Sequence, residues 1–230
     1  MKTIGLIGGM SWESTSLYYQ YINHEIKARK GGLHSAPLML YSVDFAEIAN
    51  LQHANNWPML GQQLANIATK LEGAGAEGLI ICTNTMHYVA SDVSQAVRIP
   101  LLHIGDAIAN ACLVQGISKV GLLGTRFTME ATFLRQHLQN AGLSVLTPGE
   151  SERNLIHDVI YQELCVGKIN PDSKQLFRAI IGRLGENGAQ AVVLGCTEIG
   201  LLIRSTDVDL PLLDTTELHA KAAADFITSD

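Results

Sequence analysis

Two short segments carry residue types that can move a proton beside a carboxylate: Cys82-Thr83-Asn84-Thr85 and Gly195-Cys196-Thr197-Glu198. Each follows an apolar run, GLIIC at 78–82 and AVVLG at 191–195, that reads as a buried strand, and each precedes a helix-like stretch. A loop that ends a strand and opens a helix offers free backbone N–H groups and partial positive charge. Such a place favours the thiolate form of a cysteine, which can act as base or nucleophile. The same N–H groups can hold a carboxylate. Free cysteine is also among the most buried residue types, so packing is the competing reading. For Cys196 the Gly-Cys-Thr-Glu turn past a strand end, matched in the other half of the chain, favours chemistry.

The match belongs to a longer repeat. GLIGG at 5–9 returns as GLLGT at 121–125, GAEGLIICTNT at 75–85 as GAQAVVLGCTE at 188–198, and IPLLHIGDA at 99–107 as LPLLDTTEL at 210–218. The offsets are 116, 113 and 111 residues, so small deletions separate the copies. In this register Thr83 pairs with Cys196, Asn84 with Thr197 and Thr85 with Glu198. Neighbours at a strand end point to opposite faces, so Cys82 and Thr83 cannot both face a site. The register gives that place to Thr83 and turns Cys82 into the sheet packing. Cys112 and Cys165 fall in helical stretches and read as core residues.

The elements that must position these loops alternate along the chain. Strands are expected at 3–8, 37–43, 78–82, 101–104, 119–123, 143–146, 191–195 and 211–213. Helices are expected at 14–29, 58–74, 84–97, 105–115, 128–141, 152–166, 172–187 and 216–228. Continuous apolar strands alternating with helices predict an α/β fold with mostly parallel sheets covered on both faces. The repeat predicts two pseudo-symmetric domains, 1–99 with about 210–230, and 100–209, with a site in the cleft between them.

The chain has 230 residues, 47% hydrophobic and 17% charged, which suits a compact enzyme and opposes disorder. A net charge of −6 argues against nucleic acid or an anionic membrane as partner. Four scattered cysteines, without a CxxC pair or an export signal, imply reduced thiols and a cytoplasmic protein. No HExxH or paired Cys/His spacing predicts a metal. Gly5, Gly8 and Gly9 lack the GxGxxG spacing and read as a tight strand-to-helix turn.

IGLIGGMSWEST at 4–15, TNTMH at 83–87 and LGCTEI at 194–199, in this order, resemble the aspartate/glutamate racemases that work without pyridoxal phosphate. The resemblance spans essentially the whole chain. It implies no cofactor, a small amino-acid substrate and a homodimer. In that family two cysteines flank the substrate α-carbon, and here Thr83 stands where the first would be. A threonine hydroxyl is far too weakly acidic to rest as an anion. The resemblance therefore implies that Cys196 deprotonates L-substrates and that Thr83, or water held by it, is the donor side, with a strong preference for the L-enantiomer. It also implies that the backbone at Met10 and Ser11 approaches the substrate carboxylate. Asn84, Thr85 and Thr197 would bind substrate, with Glu198 near its ammonium. Gln52, in the loop SVDFAEIANLQ, stands in for a family arginine, and Lys168, in ELCVGKINP, matches a family lysine. His87 could orient groups of the loop or be a satisfied structural histidine; Trp12 and Trp57 read as packing or cleft-wall residues. A single-cysteine decarboxylase or isomerase of this fold, and a two-lobed small-ligand carrier, are the alternatives.

Overall fold

The alternation of apolar runs and amphipathic stretches resolves, in a computed structural model that describes residues 1–229, into two sheets wrapped by helices. The first half runs β1 (Ile4–Gly8), α1 (Trp12–Lys30), β2 (Leu38–Ser42), α2 (Phe45–His53), α3 (Trp57–Gly73), β3 (Gly78–Ile81), a 3-10 turn over Thr85–Val89 and α4 (Ala90–Gln95). The second runs α5 (Ile104–Val114), β4 (Lys119–Leu123), α6 (Arg126–Glu130), α7 (Thr132–Asn140), β5 (Ser144–Leu146), α8 (Glu150–Gln162), a 3-10 turn over Leu164–Val166, α9 (Pro171–Glu186), β6 (Ala191–Leu194), α10 (Ile199–Leu202), a 3-10 turn over Ser205–Asp207, β7 (Leu212–Asp214) and α11 (Thr215–Thr228). Strand order is β2-β1-β3 in one sheet and β5-β4-β6-β7 in the other, and every ladder is parallel, as the apolar strand pattern predicts.

The ladders reproduce the sequence repeat residue by residue. Gly5 pairs with Leu79, and their counterparts Gly121 and Val192 pair likewise. The Leu79 N–H donates to Pro100 O at 2.9 Å and the Val192 N–H to Pro211 O at 2.9 Å. The run 101–104, expected as a strand, is reduced to a single bridge between Leu79 and Leu101. Leu102 still donates its N–H to Leu79 O at 2.9 Å, but its carbonyl lies 2.7 Å from His219 Nε2 rather than in a ladder, and α5 begins at Ile104.

The chain folds as two compact units, Met1–Ile104 with the segment from Thr216 onward, and Gly105–Thr215. In the first, strand alternation sends Ile4, Leu6, Ile80 and Cys82 to one face, against Tyr18, Ile22 and Ile26 of α1 and Ala220, Ala223, Ala224 and Ile227 of α11. Burial of those four α11 side chains contributes about 4–5 kcal/mol. Ile7, Leu79 and Ile81 meet Leu60, Leu64, Ile67, Ala68 and Leu71 of α3 on the other face. In the second unit, Leu123, Val192 and Leu194 pack on α8 and α9 through Ile156, Val159, Ile160, Phe177, Ile180 and Leu184. The repeat makes α5 and α11 counterparts, each following the last extended segment of its copy, yet α5 counts with the second unit and α11 with the first.

Three expected helices are interrupted. The stretch 84–97 is a 3-10 turn followed by α4, 128–141 breaks at Ala131 (ψ 145°) into α6 and α7, and 152–166 ends as α8 with a separate 3-10 turn. Helix α2, read from the sequence as a loop, is real: Asp44 caps it by accepting from the Ala46 N–H at 3.0 Å, and Ile48 and Gln52, one turn apart, face inward. Among the described residues no helix is long and apolar enough to cross a membrane.

Candidate active site

The carboxyl end of the first sheet brings two of the sequence motifs together. Gly9, at φ +92°, turns the chain out of β1 where any Cβ would sit 2.4 Å from Val43 O, so only glycine fits. Its N–H donates to Thr15 Oγ1 at 2.9 Å, and that hydroxyl donates to Ser11 O at 2.8 Å. One helical position earlier, Ser14 Oγ donates to the Cys82 carbonyl at 3.3 Å, fastening the first turn of α1 to the loop that bears Thr83.

Cys82 is fully buried and packs against α1 and α11, and burial alone drives its thiol far above the ordinary value. Thr83, next in the chain, is half-buried. Its N–H donates to Ile81 O at 2.8 Å and its carbonyl lies 2.8 Å from His87 Nδ1. His87 Nε2 accepts the Ile104 N–H at 3.2 Å. One ring nitrogen must therefore be the donor and the other the acceptor, which fixes the neutral Nδ1–H tautomer. Burial, then the neighbouring His103 and His219, push the His87 pKa well below its ordinary value. The rings of His103 and His219 lie 4.6 and 5.6 Å from it, and Tyr18 Oη sits 2.9 Å from His219 Nδ1. Asn84 is buried and Thr85 half-buried in the same turn.

In the second unit the equivalent loop carries ionisable chemistry. Gly195 is required by close packing, since a Cβ there would lie 2.9 Å from both Leu123 O and Thr128 Cγ2. Cys196 follows, half-buried against the core beneath β6. Its Sγ donates to Glu198 Oε2 at 3.0 Å, and Thr197 Oγ1 donates to the same oxygen at 2.7 Å. Burial first, then the Glu198 carboxylate and its hydrogen bond, hold the Cys196 thiol well above its usual pKa; Cys165 adds to this and the Glu198 backbone N–H opposes it. The helix expected to favour the thiolate does not deliver it: α10 has only four residues, and a carboxylate stands nearer the sulfur than any helix end effect can offset. Glu198, which the family resemblance placed by a substrate ammonium, is here bonded to the thiol.

Tyr161, at the end of α8, was not singled out in the sequence and Cys165 was assigned to packing, yet both act electrostatically within this group, Tyr161 being raised by burial and then by Cys196, Cys165 and Glu198. Cys165, read as core, is exposed, because it lies in the 3-10 turn after α8 rather than inside a helix. No motif marks either residue; only the packing of α8 beside β6 reveals them.

The remaining residues are spread more widely. The Met10 side chain is buried in the core beneath α3, leaving only its backbone for a ligand. Gln52 is buried and Nε2 donates to Met86 Sδ at 3.1 Å. Lys168 is exposed, its N–H bonded to Glu163 O at 2.9 Å. Trp57 stacks on Tyr88 at 4.2 Å, whereas Trp12 is 68% exposed and packs little. A cavity of 340 Å³ beside Ser42, Asp44 and Lys70 and another of 490 Å³ beside Arg178 and Asp209 are lined by neither Thr83 nor Cys196.

The repeated parallel α/β unit carries a thiol just past one strand end and a hydroxyl at the counterpart position of the other copy. The chain matches the Asp/Glu/Hydantoin racemase family over residues 7–223 and belongs to that family. It is an enzyme of the amino-acid racemase class. It is 21% identical to the broad-specificity amino-acid racemase RacX of Bacillus subtilis over 227 residues, 95% of each chain. A candidate Asp/Glu racemase from Yersinia pestis shares 50% identity and superposes with TM-score 0.96, with all of both chains covered. An aspartate racemase homologue from Pyrococcus horikoshii shares 36% with TM-score 0.87, again over both whole chains.

Proposed function

We propose that the protein racemises L-aspartate and L-glutamate, and other amino acids of similar size, without a cofactor. Cys196 removes the α-proton of the L-enantiomer, and the Thr83 side returns a proton to the opposite face. The observation that carries this assignment is the asymmetry of the repeat: a thiol at position 196, a hydroxyl at its counterpart 83, and the neighbouring Cys82 sealed in the core. A hydroxyl without a strong base beside it relays or donates a proton but abstracts one poorly. Backbone and side chains of Asn84, Thr85, Thr197 and the Met10 turn bind the substrate carboxylate and stabilise charge developing there, with Gln52 and Lys168 addressing the distal group. The absence of an arginine between Arg29 and Arg98 favours a site that tolerates more than one side chain.

The test is α-proton exchange in deuterated water, followed by NMR over a panel of L- and D-amino acids. Rapid exchange from L-aspartate or L-glutamate and slow exchange from their D-forms is expected. Equal exchange from both hands refutes the division of roles, and release of carbon dioxide from a malonate-type substrate, without exchange, assigns a decarboxylase instead.

A further inference from the structure

The thiol assigned above as base donates its hydrogen bond to a carboxylate two residues on in the chain. We propose that Glu198 is the proton acceptor for Cys196: its Oε2, 3.0 Å from Sγ and pinned by Thr197 Oγ1 at 2.7 Å, receives the thiol proton as the sulfur takes the substrate's α-proton. The inference rests on the reading of Cys196 as the base toward L-substrates.

The geometry narrows the choice of acceptor. The side chains acting on the sulfur are Glu198 and, more weakly, Cys165, while Tyr161 from α8 completes the ionisable groups of this cluster. None of these is a cation that could stabilise a free thiolate, and α10 is too short to substitute for one. Glu198 is bonded directly to the S–H, so the proton has a path of one hydrogen bond. Thr197 donates to the same oxygen, which fixes that oxygen, rather than its partner, beside the sulfur.

The step balances. The substrate C–H bond breaks and its electron pair stays on the α-carbon. The hydrogen bonds to sulfur, the former S–H proton moves to Glu198, and the carboxylate becomes a carboxylic acid. Reprotonation of the α-carbon on the opposite face, and loss of the Glu198 proton to water, restore the starting charges. Because the two transfers are coupled, the sulfur carries a hydrogen before and after the step.

The experiment compares the intact enzyme with Glu198→Gln, Glu198→Asp and Cys196→Ala, each checked by its melting curve. Two rates are read: α-proton exchange from L-aspartate in deuterated water, and alkylation of the peptide containing Cys196 by iodoacetamide at neutral pH. Glu198→Gln should slow exchange by about 10²- to 10³-fold while alkylation becomes faster, because removing the neighbouring negative charge makes the thiolate easier to form. A purely structural role would slow both rates together. Glu198→Asp keeps the charge and withdraws the oxygen by one methylene, so exchange falls while alkylation stays near that of the parent; this variant also carries the test if Glu198→Gln does not fold. Exchange in both Glu198 variants near the parental rate, with Cys196→Ala inactive, overturns the role of Glu198 alone. So does a parallel loss of exchange and alkylation. Cys196→Ala as active as the parent overturns both the underlying reading and this one.

Discussion

The two strand-end loops at 82–85 and 195–198 share a repeat register and opposite electrostatics. Around Thr83 the supporting group is His87, a neutral ring that donates to one carbonyl and accepts one N–H. Around Cys196 it is Glu198, a carboxylate that accepts a hydrogen bond from the sulfur itself. One loop is held by a ring with a fixed donor and a fixed acceptor, the other by an acceptor that takes two hydrogen bonds at one oxygen. The same strand-end turn thus carries a hydroxyl beside a neutral ring in one copy and a thiol beside a carboxylate in the other.

The largest effect should come from removing the acceptor side. Cys196→Ser should lower α-proton exchange from L-aspartate by about 10²- to 10⁴-fold, with circular dichroism unchanged; full activity would break the contrast outright. Erasing the asymmetry from the other side is the next test. Thr83→Cys should raise exchange from D-aspartate by at least about tenfold, since a thiol ionises where a hydroxyl does not, and no gain on D-substrates would show that the hydroxyl is not the limiting group.

The positioning histidine should matter to stability. His87→Leu leaves the Thr83 carbonyl and the Ile104 N–H without their partner in a buried place, at a cost of about 2–4 kcal/mol, visible in a urea unfolding curve. A smaller, pH-dependent effect has the same origin. The folded pKa of His87 lies below its unfolded value of 6.5, so the unfolded chain binds the extra proton first. Its contribution is complete above pH 6.5 and is lost as pH falls toward the folded value, at no more than about 1.4 kcal/mol per pH unit. Melting temperature should fall between pH 6.5 and 5, and less so in a variant lacking His87.

Much of this was legible from residue order alone. The offsets that align GLIGG with GLLGT, and GAEGLIICTNT with GAQAVVLGCTE, are the offsets of the ladders, because a repeat in buried strands constrains pairing and packing together. The inward turn of Cys82 followed from alternation at a strand end. What stayed hidden depends on side-chain reach. Nothing in Gly-Cys-Thr-Glu says that the glutamate folds back two residues onto the sulfur rather than outward to a ligand. The helix break at Ala131 has no glycine or proline to announce it. Helix α2 was announced, by Asp44 and by Phe45, Ile48 and Leu51 at helical spacing, a signal masked by its place in a stretch read as a binding loop. Tyr161 and Cys165 join the thiol only through tertiary packing.

The exchange of α5 and α11 between the two copies has a consequence for how the molecule can be cut or rebuilt. A gene fragment ending at residue 104 would lack Ala220, Ala223, Ala224 and Ile227, leaving Ile4, Leu6 and Ile80 covered by α1 alone. The first sheet is thus completed by a helix encoded more than a hundred residues after it.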